Sequence, residues 1–339
     1  VKSWIAEAAN RDEWLEKVQE DPIAPDMEIV DPHHHLWNRD GTAYELGKLW
    51  GDTGSGHKIV QTIYIECGSN YYGDIEVDFA PVGETAYVMG LAALAARDPS
   101  KAQIAGIVSH ADLRRENLVE VLNAHESIGG ELFKGIRHAL AWDDDPSAFK
   151  IQARGCAGLA NDADFRRGLA VLGERGLTYD TWHYHHQNQD FLALAKAVPN
   201  TTLVLDHFGT PLGVGQYTGK RNKIFAAWKD DIAALADCPN VIAKLGGMAM
   251  PDNGYGWHER EMPISSNDFV ELQKPWYDHV IKRFGSERCM FESNFPVERA
   301  SISYNILWNG LKKIAAEYPQ QDQAQMFSGT ARKVYRLPS

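Results

Sequence analysis

Short apolar runs alternate along this chain with longer stretches whose apolar residues recur at helical spacing. The runs cover residues 28–31, 60–66, 104–108, 132–137, 177–182, 202–206, 241–245 and 288–291. The amphipathic stretches cover residues 81–97, 113–125, 162–175, 190–198, 224–236, 266–284 and 303–317. The first kind reads as strands and the second as helices. Strand–helix alternation repeated eight times predicts an α/β fold, a (β/α)8 or TIM barrel. A doubly wound open sheet would use the same elements; the count of eight decides for the barrel.

At 339 residues the chain exceeds the roughly 250 typical of such a barrel. The surplus falls in residues 1–26 and in loops over residues 38–57, 68–81, 140–158 and 248–265. In the N-terminal segment, Trp4, Ile5, Ala8, Trp14, Leu15 and Val18 recur at roughly helical spacing. They predict a helical extension packed outside a single barrel domain over residues 27–339. The last two loops are rich in Gly, Trp, Asp and Met and are predicted to fold over the barrel mouth as lids.

Composition narrows the partners. A formal net charge of −12 argues against nucleic acid or an anionic membrane as the main partner. No run of 18 apolar residues occurs, and residues 1–26 lack the basic-apolar-small pattern of a secretory signal. Cys67, Cys156, Cys238 and Cys289 are scattered without a C-x-x-C pair, as expected in a reducing cytoplasm. A small-molecule substrate remains the natural partner, with homo-oligomerisation left open.

The polar residues of each run gather at its end. The first leads into Pro32-His33-His34-His35, where strand alternation sends His33 and His35 to one face and His34 to the other. Later runs end in Tyr64 and Glu66, in Arg137-His138, in Asp180 through His186, in Asp206-His207 and in Glu292-Ser293-Asn294. In a barrel these are C-terminal strand ends, the face that carries active sites. A lone His-x-His is usually incidental, and His207 alone would read as a core histidine. Histidines at three strand ends together weigh against both readings.

The stretch Ile29-Val30-Asp31-Pro32-His33-His34-His35-Leu36-Trp37 resembles the opening motif of the amidohydrolase-related (amidohydrolase 2) family. Lys134-Gly135-Ile136-Arg137-His138, Asp180-x-Trp182-x-Tyr184-His185-x-Gln187 and Leu205-Asp206-His207-x-Gly209-x-Pro211 continue the resemblance. Lys244-Leu245-x-Gly247 and the stretch from Arg288 to Val297 complete it. It implies a TIM barrel related to lactonases of pyrone dicarboxylates and sugar lactones, and to decarboxylases. Carried over position by position, the family's reacting centre falls on His33, His35, His185, His207 and Asn294. The Trp-x-Tyr-His-x-Gln pattern selects His185 over His183 and His186.

Position 294 departs from the family, which places an aspartate there. Asn294 neither accepts a proton at neutral pH nor offers an anionic oxygen. Glu292, Asp180 and Glu66 are replacement carboxylates, with Asp180 counted among the catalytic residues. Two mechanisms follow. In one, a divalent ion, zinc or manganese, sits on His33, His35 and His185 and activates water. In the other no metal is bound, and the histidines with Arg137 polarise the carbonyl. Arg137, Glu66, Tyr184 and, from the loop after the seventh run, His258 are the expected substrate-binding residues. Hydrolysis of a lactone or other small cyclic ester is the leading expectation. Non-oxidative decarboxylation of a small aromatic or unsaturated acid is one alternative, and a non-catalytic anion-binding barrel is another.

Overall fold

The computed structural model describes residues 8–39, 42–152 and 154–338. Strand β1 (Glu28–His34) leads into a small antiparallel hairpin of β2 (Trp37–Arg39) and β3 (Thr42–Tyr44). The remaining strands are β4 (Lys58–Ile65), β5 (Gln103–Ser109), β6 (Phe133–Arg137), β7 (Thr178–Thr181), β8 (Leu203–Leu205), β9 (Val241–Leu245) and β10 (Cys289–Phe291). Eight of them form one parallel sheet in the order β1-β4-β5-β6-β7-β8-β9-β10, each beside its neighbour in sequence. This is the predicted barrel. Helices on the outside and packed side chains inside bury both faces, and β6, β7, β8, β9 and β10 are buried throughout.

Closure of the ring falls just beyond the strand ends. His34 bridges Phe295 in parallel register, the Asn294 amide donates to the His33 carbonyl at 2.9 Å, and the His35 amide donates to the Phe295 carbonyl at 2.7 Å. Asp31 adds a side-chain clasp, accepting from the Ser293 amide at 2.9 Å and from the Tyr304 hydroxyl at 2.9 Å.

Local chemistry explains the outer helices. Ser265 and Asp268 form a reciprocal capping box at the start of helix Ser266–Phe284. Asp162 caps Ala163–Glu174, and Ser303 caps Tyr304–Ala315. Trp228, Trp276, Phe208 and Tyr277 pack among these helices as an aromatic cluster against the barrel.

Two expectations change. Over residues 9–26 the N-terminal segment holds one helical turn, Asp12–Leu15, and otherwise runs as an irregular strap; Trp4 and Ile5 lie outside the described residues. Side chains tie this stretch to the body of the protein. Arg11 reaches the carbonyls of His258 and Ala300, Asp12 pairs with Arg299, and Lys312 holds the carbonyls of Ile23 and Ala24. The predicted loop over residues 38–57 contains β3 and helix Leu46–Thr53. Among the described residues no helix is long and apolar enough to cross a membrane.

The segment after β6 lies across the barrel mouth and is tied to several loops. Asp143 accepts from the Tyr217 hydroxyl at 2.6 Å, from Gln216 at 3.0 Å and from His186 at 3.0 Å. Asp252 accepts from the amides of Lys150 at 2.7 Å and Ile151 at 3.0 Å. Arg154 then crosses to the end of β4, reaching Glu66 at 3.1 Å and the Cys67 carbonyl at 2.7 Å.

Candidate active site

Three strand ends deliver the imidazole cluster and its carboxylate. In β1 the register slips between Asp31, opposite Thr62, and His34, opposite Tyr64, so β1 spends one residue more than β4. Pro32, which has no amide to contribute to a ladder, lies inside this bulge, and bulges re-aim the side chains that follow. His33 and His35 bring their Nε2 atoms within 3.3 Å of each other. His34 is buried edge-on to the Tyr64 ring, as its parity requires.

At the end of β8, His207, Phe208, Gly209 and Thr210 all have positive φ, an uncommon run that turns His207 back toward the lumen. A pair of glycines just beyond β9 makes room for it. A Cβ at Gly247, itself at φ +70, would lie 2.2 Å from His207 Nδ1, and one at Gly246 would lie 2.4 Å from Glu292 Cγ. Neither approach tolerates a side chain.

Glu292 is the hinge of the cluster. One oxygen lies 2.7 Å from His33 Nδ1 and the other 2.7 Å from His207 Nδ1. His35 Nδ1 is matched by the Ile65 carbonyl at 2.8 Å. A carbonyl can only accept, so His35 carries its proton at Nδ1 and leaves Nε2 as a lone pair; His207 Nδ1 is hydrogen-bonded to Glu292, and the short His33 Nδ1 contact to the other oxygen forms no hydrogen bond. Burial keeps all three neutral: it pushes His207 down to about 3 and His33 and His35 well below the ordinary histidine value. Burial raises Glu292 to about 8 although Lys244 opposes it.

Charged residues surround the imidazoles. Arg137 places Nη1 3.4 Å from His33 Nε2 and 3.7 Å from Asp206, and its Nε donates to Glu66 at 2.9 Å. Burial alone would raise Glu66, but Arg137 and Arg154 flank it and hold it at about 2. Lys244, fully buried, lies 2.6 Å from Asp180 and 3.3 Å from Asp206. Burial disfavours its charge, yet the two aspartates keep it protonated. Asp206 is raised to about 6, by burial first and in spite of Lys244. His33, Asp206 and His207 each offer one donor atom within 4.8 Å of the others, a group able to hold a metal ion.

The family profile described as amidohydrolase matches residues 30–337. The chain belongs to the amidohydrolase family. An L-fucono-1,5-lactonase of Burkholderia multivorans is 26% identical to it over 318 residues, 91% of this chain and 96% of that protein. An uncharacterised protein of Sinorhizobium fredii is 28% identical over 326 residues, 92% and 99% of the two chains. A crystal structure of a Burkholderia multivorans amidohydrolase with bound zinc has the same fold, with a TM-score of 0.72 and 24% identity. It covers 91% of this chain and 99% of that one.

Within this amidohydrolase barrel the predicted residues divide. His33, His35, His207, Arg137 and Glu66 come together, with Asn294 beside them through its amide bond to His33. His185 does not join them. β7 ends at Thr181 and the chain turns into a short helical turn, His185–Gln187, so side-chain alternation no longer applies. His185 Nδ1 instead accepts from the Leu212 amide at 3.2 Å, and its ring meets Tyr217. Of the expected ligands, His33 and His35 meet while His185 lies apart, and a further ion-capable group joins His33 to Asp206 and His207.

Tyr184 is buried against Phe149 and Trp182, its hydroxyl without a hydrogen-bond partner among the described residues. His258 is half-buried next to Glu259, with its carbonyl given to Arg11. Asp180 lies behind Lys244 rather than against the imidazoles. Asp206 and Lys244 stand in the sequence motifs but were assigned no role there, and Arg154 was not named. Lys244 had a signal: a lysine inside the apolar strand Val241-Ile242-Ala243-Lys244-Leu245 must find buried counter-charges.

Proposed function

We propose that this protein hydrolyses a small lactone, of the class opened by its sugar-lactonase relatives, at the cluster of His33, His35 and His207. The observation that carries the reading is the buried cluster of neutral imidazoles, with the Nδ1 atoms of His35 and His207 hydrogen-bonded and the Nε2 atoms of His33 and His35 facing each other beside the Arg137 guanidinium.

The pair at His33 and His35 is also the fit test for a metal. The two Nε2 atoms lie 3.3 Å apart. Tetrahedral zinc with bonds of about 2.0–2.1 Å requires ligand nitrogens roughly 3.3–3.4 Å apart. The donors fit, and imidazole-rich sites favour zinc over manganese. His33 and His35 would hold the ion, leaving His207 free, and zinc there would supply hydroxide at neutral pH by lowering the pKa of bound water to about 7.

The chain's own groups do the rest. Arg137 directs N–H donors at the carbonyl oxygen as it gains charge during attack. His207 takes the proton of the attacking water at Nε2 while Glu292 holds its Nδ1–H. It returns that proton to the ring oxygen as the acyl C–O bond breaks, giving a hydroxy acid. Asn294 cannot serve as base and contributes position through its bond to His33.

Two variants test the reading. His33→Ala should lose both the metal and turnover, whereas His207→Ala should keep the metal and lose at least 100-fold in kcat. The assay is elemental analysis beside a panel of sugar lactones, with circular dichroism to check the fold. Full lactonase activity in both variants would sink the assignment. Carbon dioxide release from hydroxybenzoates without lactone opening would replace it with decarboxylation.

A further inference from the structure

The base of the barrel is closed by the C-terminal tail. Tyr335, just past helix Thr330–Val334, is fully buried and packs with Val30, Ile63, Val108, Val204 and Met290, drawn from five different barrel strands. Clefts of about 790 Å³ and about 540 Å³ lie on either side of residues 333–338 at this end. The plug is therefore the tail itself and not a wall of packed helices. Backbone bonds hold it in place: Arg336 reaches the Gly176 carbonyl, and the Leu337 amide donates to Arg332 at 2.9 Å.

A purely apolar plug would need no hydroxyl, yet the Tyr335 hydroxyl donates to Asp180 Oδ2. That same oxygen accepts from Lys244 Nζ at 2.6 Å, while Thr178 Oγ1 donates to the other oxygen at 3.1 Å. Lys244 Nζ lies 5.3 Å from the Tyr335 ring centroid and spans to Asp206 at 3.3 Å. Asp206 in turn lies 3.7 Å from Arg137 and 3.9 Å from His33. Hydrogen bonds thus link the tail to Asp180 and Lys244, and ion-pair contacts through Asp206, whose oxygens accept no hydrogen bond among the described residues, continue to the imidazole cluster.

We propose that Tyr335 is a positioning residue for the active site, its hydroxyl acting through Asp180 to set how Lys244 is shared between Asp180 and Asp206. The proposal rests on the reading of the His33/His207 cluster as the site of reaction. Buried ion pairs seek full hydrogen-bond satisfaction. With three donors, Asp180 is satisfied and leaves Lys244 free to lean on Asp206. Without the tyrosine hydroxyl, Asp180 draws Lys244 toward itself. Asp206 then loses its cation and shifts toward Arg137, which points at the carbonyl. Tyr335 touches no substrate; it acts at two removes.

The test is a cycle of Tyr335→Phe, Asp180→Asn and the double variant, with His207→Ala alongside. Tyr335→Phe keeps the ring in the base and removes only the donor. The expected result is a five- to twenty-fold fall in kcat with KM unchanged, and a double variant no worse than Asp180→Asn alone. Thr178→Val, which removes the third donor to Asp180, should reduce kcat in the same direction, and it stands in if Tyr335→Phe does not fold. A Tm that falls while kcat per folded molecule holds at the wild-type value in both Tyr335→Phe and Thr178→Val overturns the proposal, as does full multiplication of effects in the double variant. If His207→Ala is itself fully active, the site reading fails and not the coupling alone.

Discussion

The chemistry of this protein rests on where three imidazoles keep their protons. The Ile65 carbonyl fixes the proton of His35, and Glu292 lies against the Nδ1 atoms of both His207 and His33. Glu292→Gln keeps the shape but turns an amide N–H₂ toward one of two N–H donors. Zinc affinity, read by competition with a chelator, should fall about 10–100-fold, the usual loss when a ligand's hydrogen-bond partner is removed. Unchanged affinity would mean the carboxylate is not orienting the ligands. At this scale strand alternation made His33 and His35 legible, whereas His185, picked by the family pattern, lies beyond the end of β7 where alternation gives no direction. Asn294 also has a backbone reason. Its φ is +56, and asparagine is among the few side chains that accept that left-handed region readily.

Among the elements, the strands emerged from the sequence because each is a buried apolar run, and their positions match within a few residues. The bulge at Pro32 was not foreseen, since it depends on how β1 meets β4 rather than on β1 alone. In the N-terminal segment the helical spacing shortens to one turn among residues 9–26, where Trp14 donates to the carbonyls of Arg260 and Glu261 and docks the strap on the body. Helices on the outer ring obey local rules more closely. Ser265 Oγ accepts from the Asp268 amide at 3.1 Å. Ser265→Ala should therefore cost about 1 kcal/mol in urea unfolding, the usual value of an N-cap. A loss below about 0.3 kcal/mol would show that tertiary packing alone sets this helix start.

For the molecule as a whole, the loops over the mouth act together. Asp252 ties the segment after β6 to the loop after β9, and burial raises its pKa from 3.8 to about 6. The folded state therefore binds this proton more tightly than the unfolded chain. That contribution to stability is fully present below about pH 4 and is lost as pH rises through 6, on the order of 3 kcal/mol in all. Measured against Asp252→Asn at each pH, the wild type should gain stability on going from pH 7 to pH 4. A difference that stays flat, or runs the other way, would show that the two amide bonds outweigh burial.

The seam of the ring has a consequence for how this protein comes into being. His33 and His35 are made early in synthesis, but the carboxylate that lies against His33 Nδ1 arrives with Glu292, and the amide that fixes the His33 carbonyl arrives with Asn294. The site is therefore not an addition to a finished barrel. It is the stitch between the first-made and last-made strands, and a chain on the ribosome has no reacting centre until that stitch is drawn. Turnover would make a sensitive reporter of refolding, silent through every partly wound state and appearing only when the two ends of the sheet meet.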